Sequence, residues 1–582
     1  MIMDKPTYSL FQELQTPHLD RLSFTTTSAK DVAVWVSNLS LLQLGDTSRT
    51  LFEALLEIRN LKCEESVRYE LIEVLRPALT SVIESLEKQF LHQGLINNER
   101  NDQVIELVIQ LRFHWTMVYL EITRRIHQRL NEDNFSLFAF KLKKDLKNIR
   151  VMSTYQGLLQ ISGLIFQHQI LYHDYPVGIW LASHQLYYMA EQEGFHTLNI
   201  NQINHNPTNL SSIHLVYTQI LLLNILNPNQ LRQSEIQAIY SCSFDWCKLL
   251  QLTNIETPTS TFIIDKDKDL PPIHNNHIQQ VYESHYFVNT LKLLEHINQA
   301  LTKNAVFLSK TEKQQLNAPI KFHLQNILGN AAERRHERYE YNAPIDVCFG
   351  LSTAHFYLSH GKSFNESLEM DGRFDLQSNA QILQKFNNVE PSQETQQINR
   401  MNRQIYQAHV LDISVNGYRL KWSAADIPKA LRTGEIMLVK ENAQLHWRLA
   451  VIRWIKQSPE KFLEMGLEIL AQEIYPMAVT VIPDKNTINY HPALLLSNQL
   501  FEQRKNTLIL PGSQMFKGKQ SVTIRFQTHE IKVYLEKPLL ITQSFSHFEF
   551  DIFDDVHSAM IEGFKEDHAS LSKSKDIWDA LK

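Results

Sequence analysis

The chain has 582 residues, with 57 lysines and arginines against 63 aspartates and glutamates, and only 16 glycines. A net charge of −6 excludes the global basic field of a non-specific nucleic-acid or anionic-membrane binder, so any anion site must be local. Glycine usage far below the average of about 7% also leaves little material for phosphate-cradling loops. There is no G-x-G-x-x-G, and the stretch from Gly512 to Gly518-Lys519-Gln520 has one residue too many for a P-loop and no Ser/Thr after its lysine.

In chain order, residues 1 to about 325 read as an all-α region. Ser28-Ala29-Lys30-Asp31 has the form of a capping box and leads into Val32, Trp35, Val36 and Leu39 at helical spacing. A second helix is expected from Asp46/Thr47, with Leu51, Ala54, Leu55 and Ile58 on one face. Val104, Leu107, Val108, Leu111, Trp115, Val118 and Ile122 mark a long amphipathic helix. Further helical patterns cover 154–173, 177–193, 210–226, 233–251, 276–303 and 311–329, punctuated by Asn206-Pro207 and Pro271-Pro272. No apolar run reaches the roughly 20 residues of a membrane span. The first residues show no basic-then-apolar leader. The expectation is a cytoplasmic protein with no membrane insertion.

The period changes at about residue 338. Tyr339–Leu358, Gln404–Leu420, Ile436–Val439, Leu445–Ile455 and Met465–Leu470 are rich in β-branched and aromatic residues and read as strands. Between them, residues 361–400 carry only 11 apolar residues in 40 and read as a polar insertion. Thr507–Leu510, Gln520–Gln527, Glu530–Leu535, Leu539–Thr542 and Phe545–Ile552 outline a smaller C-terminal β domain over 476–560, and 561–582 is a charged tail. The fold class is therefore multidomain α+β.

Three of the 24 arginines, Arg334, Arg335 and Arg338, fall within five residues at the helical-to-β junction. Guanidinium suits phosphate because its planar fork makes two parallel charge-assisted hydrogen bonds. A similar run, Arg124-Arg125-Ile126-His127-Gln128-Arg129, lies inside an amphipathic helix and reads as a solvated or acid-paired face. Further on, Asp412-Ile413-Ser414-Val415-Asn416-Gly417 ends an alternating run in a turn. Its Asp and Ser side chains can bond backbone or a ligand, and its Gly permits a positive φ or close backbone approach.

The R-R-x-x-R of 334–338 and the D-x-S-x-x-G of 412–417, in that order, resemble the PilZ domain, a bacterial receptor module for cyclic di-GMP. The similarity extends through Thr433-Gly434-Glu435, Leu449–Trp454 and Met465–Leu470, so that it covers about 331–475. It implies an antiparallel six-stranded β-barrel with the 361–400 insertion between its first two strands. It further implies that Arg334, Arg335 and Arg338 grip phosphates and guanine, that Asp412 and Ser414 bond the guanine base, and that Gly417 keeps the turn open. The 73 residues between Arg338 and Asp412 are more than the family pattern needs. The barrel region holds 17 basic and 18 acidic residues, so binding there would rest on local geometry.

Other chemistry is poorly supported. His274-Asn275-Asn276-His277 has no third ligand, and Asp265-Lys266-Asp267-Lys268-Asp269 and Asp554-Asp555 read as surface charge. The four cysteines, Cys63, Cys242, Cys247 and Cys348, read as buried structural thiols, and there is neither a zinc quartet nor a G-x-S-x-G. The expectation is a non-enzymatic cyclic di-GMP receptor with no cofactor, no metal and no DNA or RNA partner. Its helical region would engage a protein partner, and an oligomer is compatible with it. Motility or biofilm control follows by family analogy alone. The alternative is a PilZ-like scaffold acting by protein contacts without nucleotide.

Overall fold

A computed structural model describes residues 16–580 except 41–42, 92–98, 133–134, 136–138, 204–207, 278–283, 302–306, 330–337, 369–402, 415, 424–427, 429–430, 442–445, 459–461, 482–489, 498–505 and 514. The described chain forms two compact units. One comprises the described residues of 1–228, 233–317 and 324–332, and the other those of 229–232, 318–323 and 333–582.

The first unit is helical: α1 (Ala29–Ser37), α2 (Leu44–Asn60), α3 (Glu65–Glu87), α4 (Glu99–Asn131), α5 (Phe140–Ile170), α6 (Ile179–Gln192), α7 (Ile213–Ile225) and α8 (Gln233–Trp246). Helix α5 is buried all round from Arg150 to Ile170 except at Leu159. Its glycines admit neighbours: the Leu120 side chain lies 3.0 Å from where a Cβ of Gly157 would sit. Arg59 and Glu121 pair at 2.7 Å, almost fully buried, and Arg125 bonds the second Glu121 oxygen and Glu65. The arginine run 124–129 is thus largely an acid-paired face.

Between α8 and the next helices the chain forms a small antiparallel sheet of β1 (Gln251–Thr253), β2 (Phe262–Asp265), β3 (Ile273–His274) and β4 (His285–Asn289), ordered β1-β4-β2-β3. The helix expected over 276–303 therefore begins only at α9 (Leu291–Ala300), followed by α10 (Lys310–Gln315) and α11 (Ala318–Gly329). The buried run Tyr286-Phe287-Val288 has no helical period and fits a strand covered on both faces. Asp269, expected as surface charge, accepts from the backbone N–H groups of Gly178, Trp180 and Leu181 and caps α6 from 90 residues away.

The second unit holds two closed antiparallel barrels. The first is β5 (Tyr339–Phe349), β6 (Tyr406–Ser414), β7 (Gly417–Ser423), β8 (Ile436–Glu441), β9 (Arg448–Gln457) and β10 (Phe462–Ala471), in the order β10-β7-β6-β5-β8-β9. The second is β11 (Glu473–Val481), β12 (His491–Ser497), β13 (Asn506–Pro511), β14 (Gln520–Phe526), β15 (His529–Ile541) and β16 (Phe545–Ile552), in the order β11-β12-β13-β16-β15-β14. Only Gln472 separates β10 from β11.

The barrels share an apolar seam. Ile436, Leu438, Leu449 and Val451 of the first pack with Leu494, Leu496, Ile509 and Phe545 of the second. That seam is why β8 and β12 read as continuous apolar runs: both of their faces are buried. At the seam the buried Arg232 donates to Thr433 O at 3.0 Å and to Ser544 Oγ at 2.5 Å.

After β5, Gly350 at φ +89° turns the chain into α12 (Leu351–Leu358), so the long strand expected over 339–358 is a strand and a helix. The short α13 (Phe364–Ser367) follows, and Phe364 and Leu368 pack against Ala478 and Tyr490 of the second barrel. Most of the expected 361–400 insertion lies outside the described residues. The final helix, α14 (Asp555–Ala580), runs through most of the expected charged tail over 561–582, and its Ile561 and Phe564 complete the core of the second barrel. No helix among the described residues is long and apolar enough to cross a membrane.

Candidate functional site

Strand β6 carries the second motif, and a bulge decides which way it points. Ala408 and Val410 are buried inside the barrel, and strict alternation would send Asp412 the same way. The β6–β7 register shifts between Val410 and Asp412, so Leu411 is passed over: Val410 pairs with Leu420, and Asp412 with Arg419. From there Asp412 and Ser414 face outward, while Ile413 pairs with the buried Tyr418.

The same row continues across the outer face. Asp412 pairs with Glu340 on β5 and Arg419 on β7, Arg419 with Gly466 on β10, and Gly466 with Trp454 on β9. Residues directly opposite in an antiparallel pair share a face. A Cβ on Gly466 would lie 1.9 Å from the Trp454 indole nitrogen, so the ring lies across the bare backbone of β10. Gly417 has no positive φ. Its lack of a side chain serves close approach, since a Cβ there would sit 2.2 Å from Leu467 O. Ser414 Oγ donates to Gly417 O at 3.4 Å, closing the hairpin.

The electrostatics centre on Asp412. Arg338, immediately before β5, donates from Nη1 to Asp412 Oδ1 at 3.1 Å, and Arg419 Nη1 lies 3.5 Å from Oδ2. Arg419 is itself held by Glu464 of β10, with Nη2 and Nε at 2.6 and 3.2 Å from Oε2. Glu464 raises the affinity of the Arg419 guanidinium for its proton, with Asp412 contributing. Beyond it, Arg453 pairs with Glu468. The face is thus a ladder of alternating charges beside a half-buried indole, suited to a ligand carrying both anionic and planar hydrogen-bonding groups.

Of the residues expected from sequence, Arg338, Asp412, Ser414 and Gly417 come together on this face, while Arg334 and Arg335 lie outside the described residues. Arg419, Glu464 and Trp454 belong to the same face and were not singled out from sequence. Their signal is the strand register, which no local motif carries. Among the described residues no cluster of three or more His, Cys, Asp or Glu side chains could hold a metal ion. Burial pushes the thiols of Cys242, Cys247 and Cys348 up to about 12, far from a reactive thiolate.

This barrel is a PilZ domain. A family model described as the middle PilZ domain of the cyclic-di-GMP receptor FimW matches residues 261–388 and 373–476. The flanking regions match as well: 30–259 the FimW N-terminal domain and 477–553 the FimW C-terminal β-barrel domain. Among curated proteins, the chain is similar to the cyclic-di-GMP receptor FimW of Pseudomonas aeruginosa. The two are 26% identical over 594 residues, with 96% of each chain covered. The middle-domain match begins at 261, upstream of the barrel, and so takes in most of the small sheet and α9–α11.

Proposed function

We propose that this chain is a non-enzymatic receptor for cyclic di-GMP, which binds on the outer face of the first barrel. One observation carries the reading: Asp412 and Ser414 are turned outward by the β6 bulge and meet Arg338 there, at 3.1 Å from Asp412. A carboxylate accepts from guanine N1–H and N2–H₂, while arginine donates to phosphate and to guanine O6 and N7. Arg334 and Arg335 supply the remaining guanidiniums, and Gly417 lets the hairpin lie close to β10. The name of the similar Pseudomonas protein, a cyclic-di-GMP receptor, supports the same ligand.

The first barrel is the receptor module over about 331–475, the second barrel its rigid neighbour over 476–560, and the helical region over 1–325 the surface for a protein partner. Control of surface behaviour such as motility or biofilm formation, in the cytoplasm, is the physiology that fits. Titration calorimetry of the full chain with cyclic di-GMP tests the reading. Micromolar or tighter binding is expected. Arg335→Ala or Asp412→Ala each removes charge-assisted bonds of about 1.5–3 kcal/mol, and should weaken binding at least tenfold. Arg125→Ala, whose arginine pairs with Glu65 and Glu121, should leave binding unchanged. Absence of heat with folded protein would mean a scaffold that works without nucleotide.

A further inference from the structure

We infer that Arg419 is a specificity-determining positioning residue: it fixes the plane of the Asp412 carboxylate so that both oxygens can read a guanine edge. This rests on the cyclic di-GMP reading of the site. The argument begins with the asymmetry of the two guanidiniums on Asp412. Arg338 stands at the entrance to β5, its side chain 46% exposed, with one hydrogen bond to Oδ1. Arg419 stands within β7, directly across from Asp412, and is gripped on its other side by Glu464 through Nε and Nη2.

The asymmetry assigns different fates to the two arginines. Arg338 can leave Asp412 for a phosphate or a guanine at modest cost, because its own side chain is half in solvent and Arg419 still faces the Asp412 carboxylate after it goes. Its departure frees Oδ1 to accept from the ligand. Arg419 cannot leave without also abandoning Glu464, so it stays on Oδ2 and holds the carboxylate in one orientation. The second lone pair of Oδ2 remains open to the guanine 2-amino group. Without Arg419, Asp412 would lose its fixed orientation and share the face with Glu464 with no cation between them.

The consequence is a particular loss. A guanine edge donates from N1–H and N2–H₂, whereas hypoxanthine donates from N1–H alone. A carboxylate held in register rewards the additional donor by about tenfold or more, the usual scale of base discrimination by a bidentate contact. A freely rotating one does not. Calorimetry with cyclic di-GMP and with its inosine analogue therefore gives the readout. Wild-type protein should prefer the guanine ligand by about tenfold or more. In Arg419→Gln that ratio should collapse toward one, chiefly through lost affinity for cyclic di-GMP. Arg419→Lys should restore part of it, and Asp412→Asn combined with Arg419→Gln should be no worse than Asp412→Asn alone.

Should Arg419→Gln fail to fold, Glu464→Gln, nearly identical in size, carries the test, with an intermediate fall in the ratio expected. Wild-type protein that binds neither ligand would end the receptor reading itself. Wild-type protein that discriminates, with Arg419→Gln discriminating equally well, would overturn the role of Arg419 alone.

Discussion

At the scale of single residues, Gly417 leaves no room for choice. A methyl group there would meet the Leu467 carbonyl at 2.2 Å, and that carbonyl belongs to a paired strand that cannot yield without breaking its ladder. Gly417→Ala should therefore destabilise the barrels by about 1–3 kcal/mol, the usual cost of forced overpacking, read as a lowered urea midpoint of the second unit. An unchanged midpoint would show that the hairpin can shift freely. Asp412 illustrates what was and was not legible at this scale. Its residue type and spacing to Ser414 and Gly417 were visible in the sequence, and they pointed to the correct strand and turn. Its direction was not, because alternation from Ala408 and Val410 aims it into the core, and only the bulge at Leu411 reverses that. Arg419, two residues past Gly417, and Glu464 on β10 belong to neither motif, and register alone brings them together.

Elements show the same division. The change from helical to alternating period near residue 338 is local and was readable, as were most of the strands later closed into barrels, but β11 and β12 are not among the expected strands and β6 and β7 share one expected run. Helix α14 was obscured because its apolar residues are sparse: Ile561 and Phe564 sit among charged neighbours, yet both enter the core of the second barrel. Phe564 lies 4.7 Å from Phe526, ring to ring, and beside Tyr475. Phe564→Ala should cost about 3–5 kcal/mol, as for other buried aromatics. It should also make the C-terminal segment an early target of limited proteolysis. Retention of both stability and protease resistance would show that the helix merely rests on the barrel. Asp269 was misread for a related reason. A run of alternating charges resembles a solvated surface, and nothing within it announces that its last carboxylate caps α6.

For the whole molecule, acid is the informative variable. Burial holds His114 and His168 down at about 3, and His184, His355 and His547 down at about 4. In the unfolded chain each would titrate near 6.5. Above that pH the folded and unfolded chains both carry them neutral, and stability is full. As pH falls from about 6.5 toward 4 the unfolded chain takes up protons that the folded chain refuses, so each histidine removes up to about 1.4 kcal/mol per pH unit. The five are divided between the units, three in the first and two in the second. Urea unfolding at pH 5 should therefore show lower midpoints than at pH 7.5 for both units, and a pH-independent midpoint would mean that these rings are not buried neutral. Finally, the single residue Gln472 between the barrels, together with the seam around Phe545, bears on how the receptor can be re-engineered. A chimera that transplants 339–471 alone would carry a raw apolar wound on β8 and β9 into its new host. The portable cassette is the pair of barrels with its closing helix, so a biosensor grafted from this chain should be cut after α14, not at the Gln472 joint.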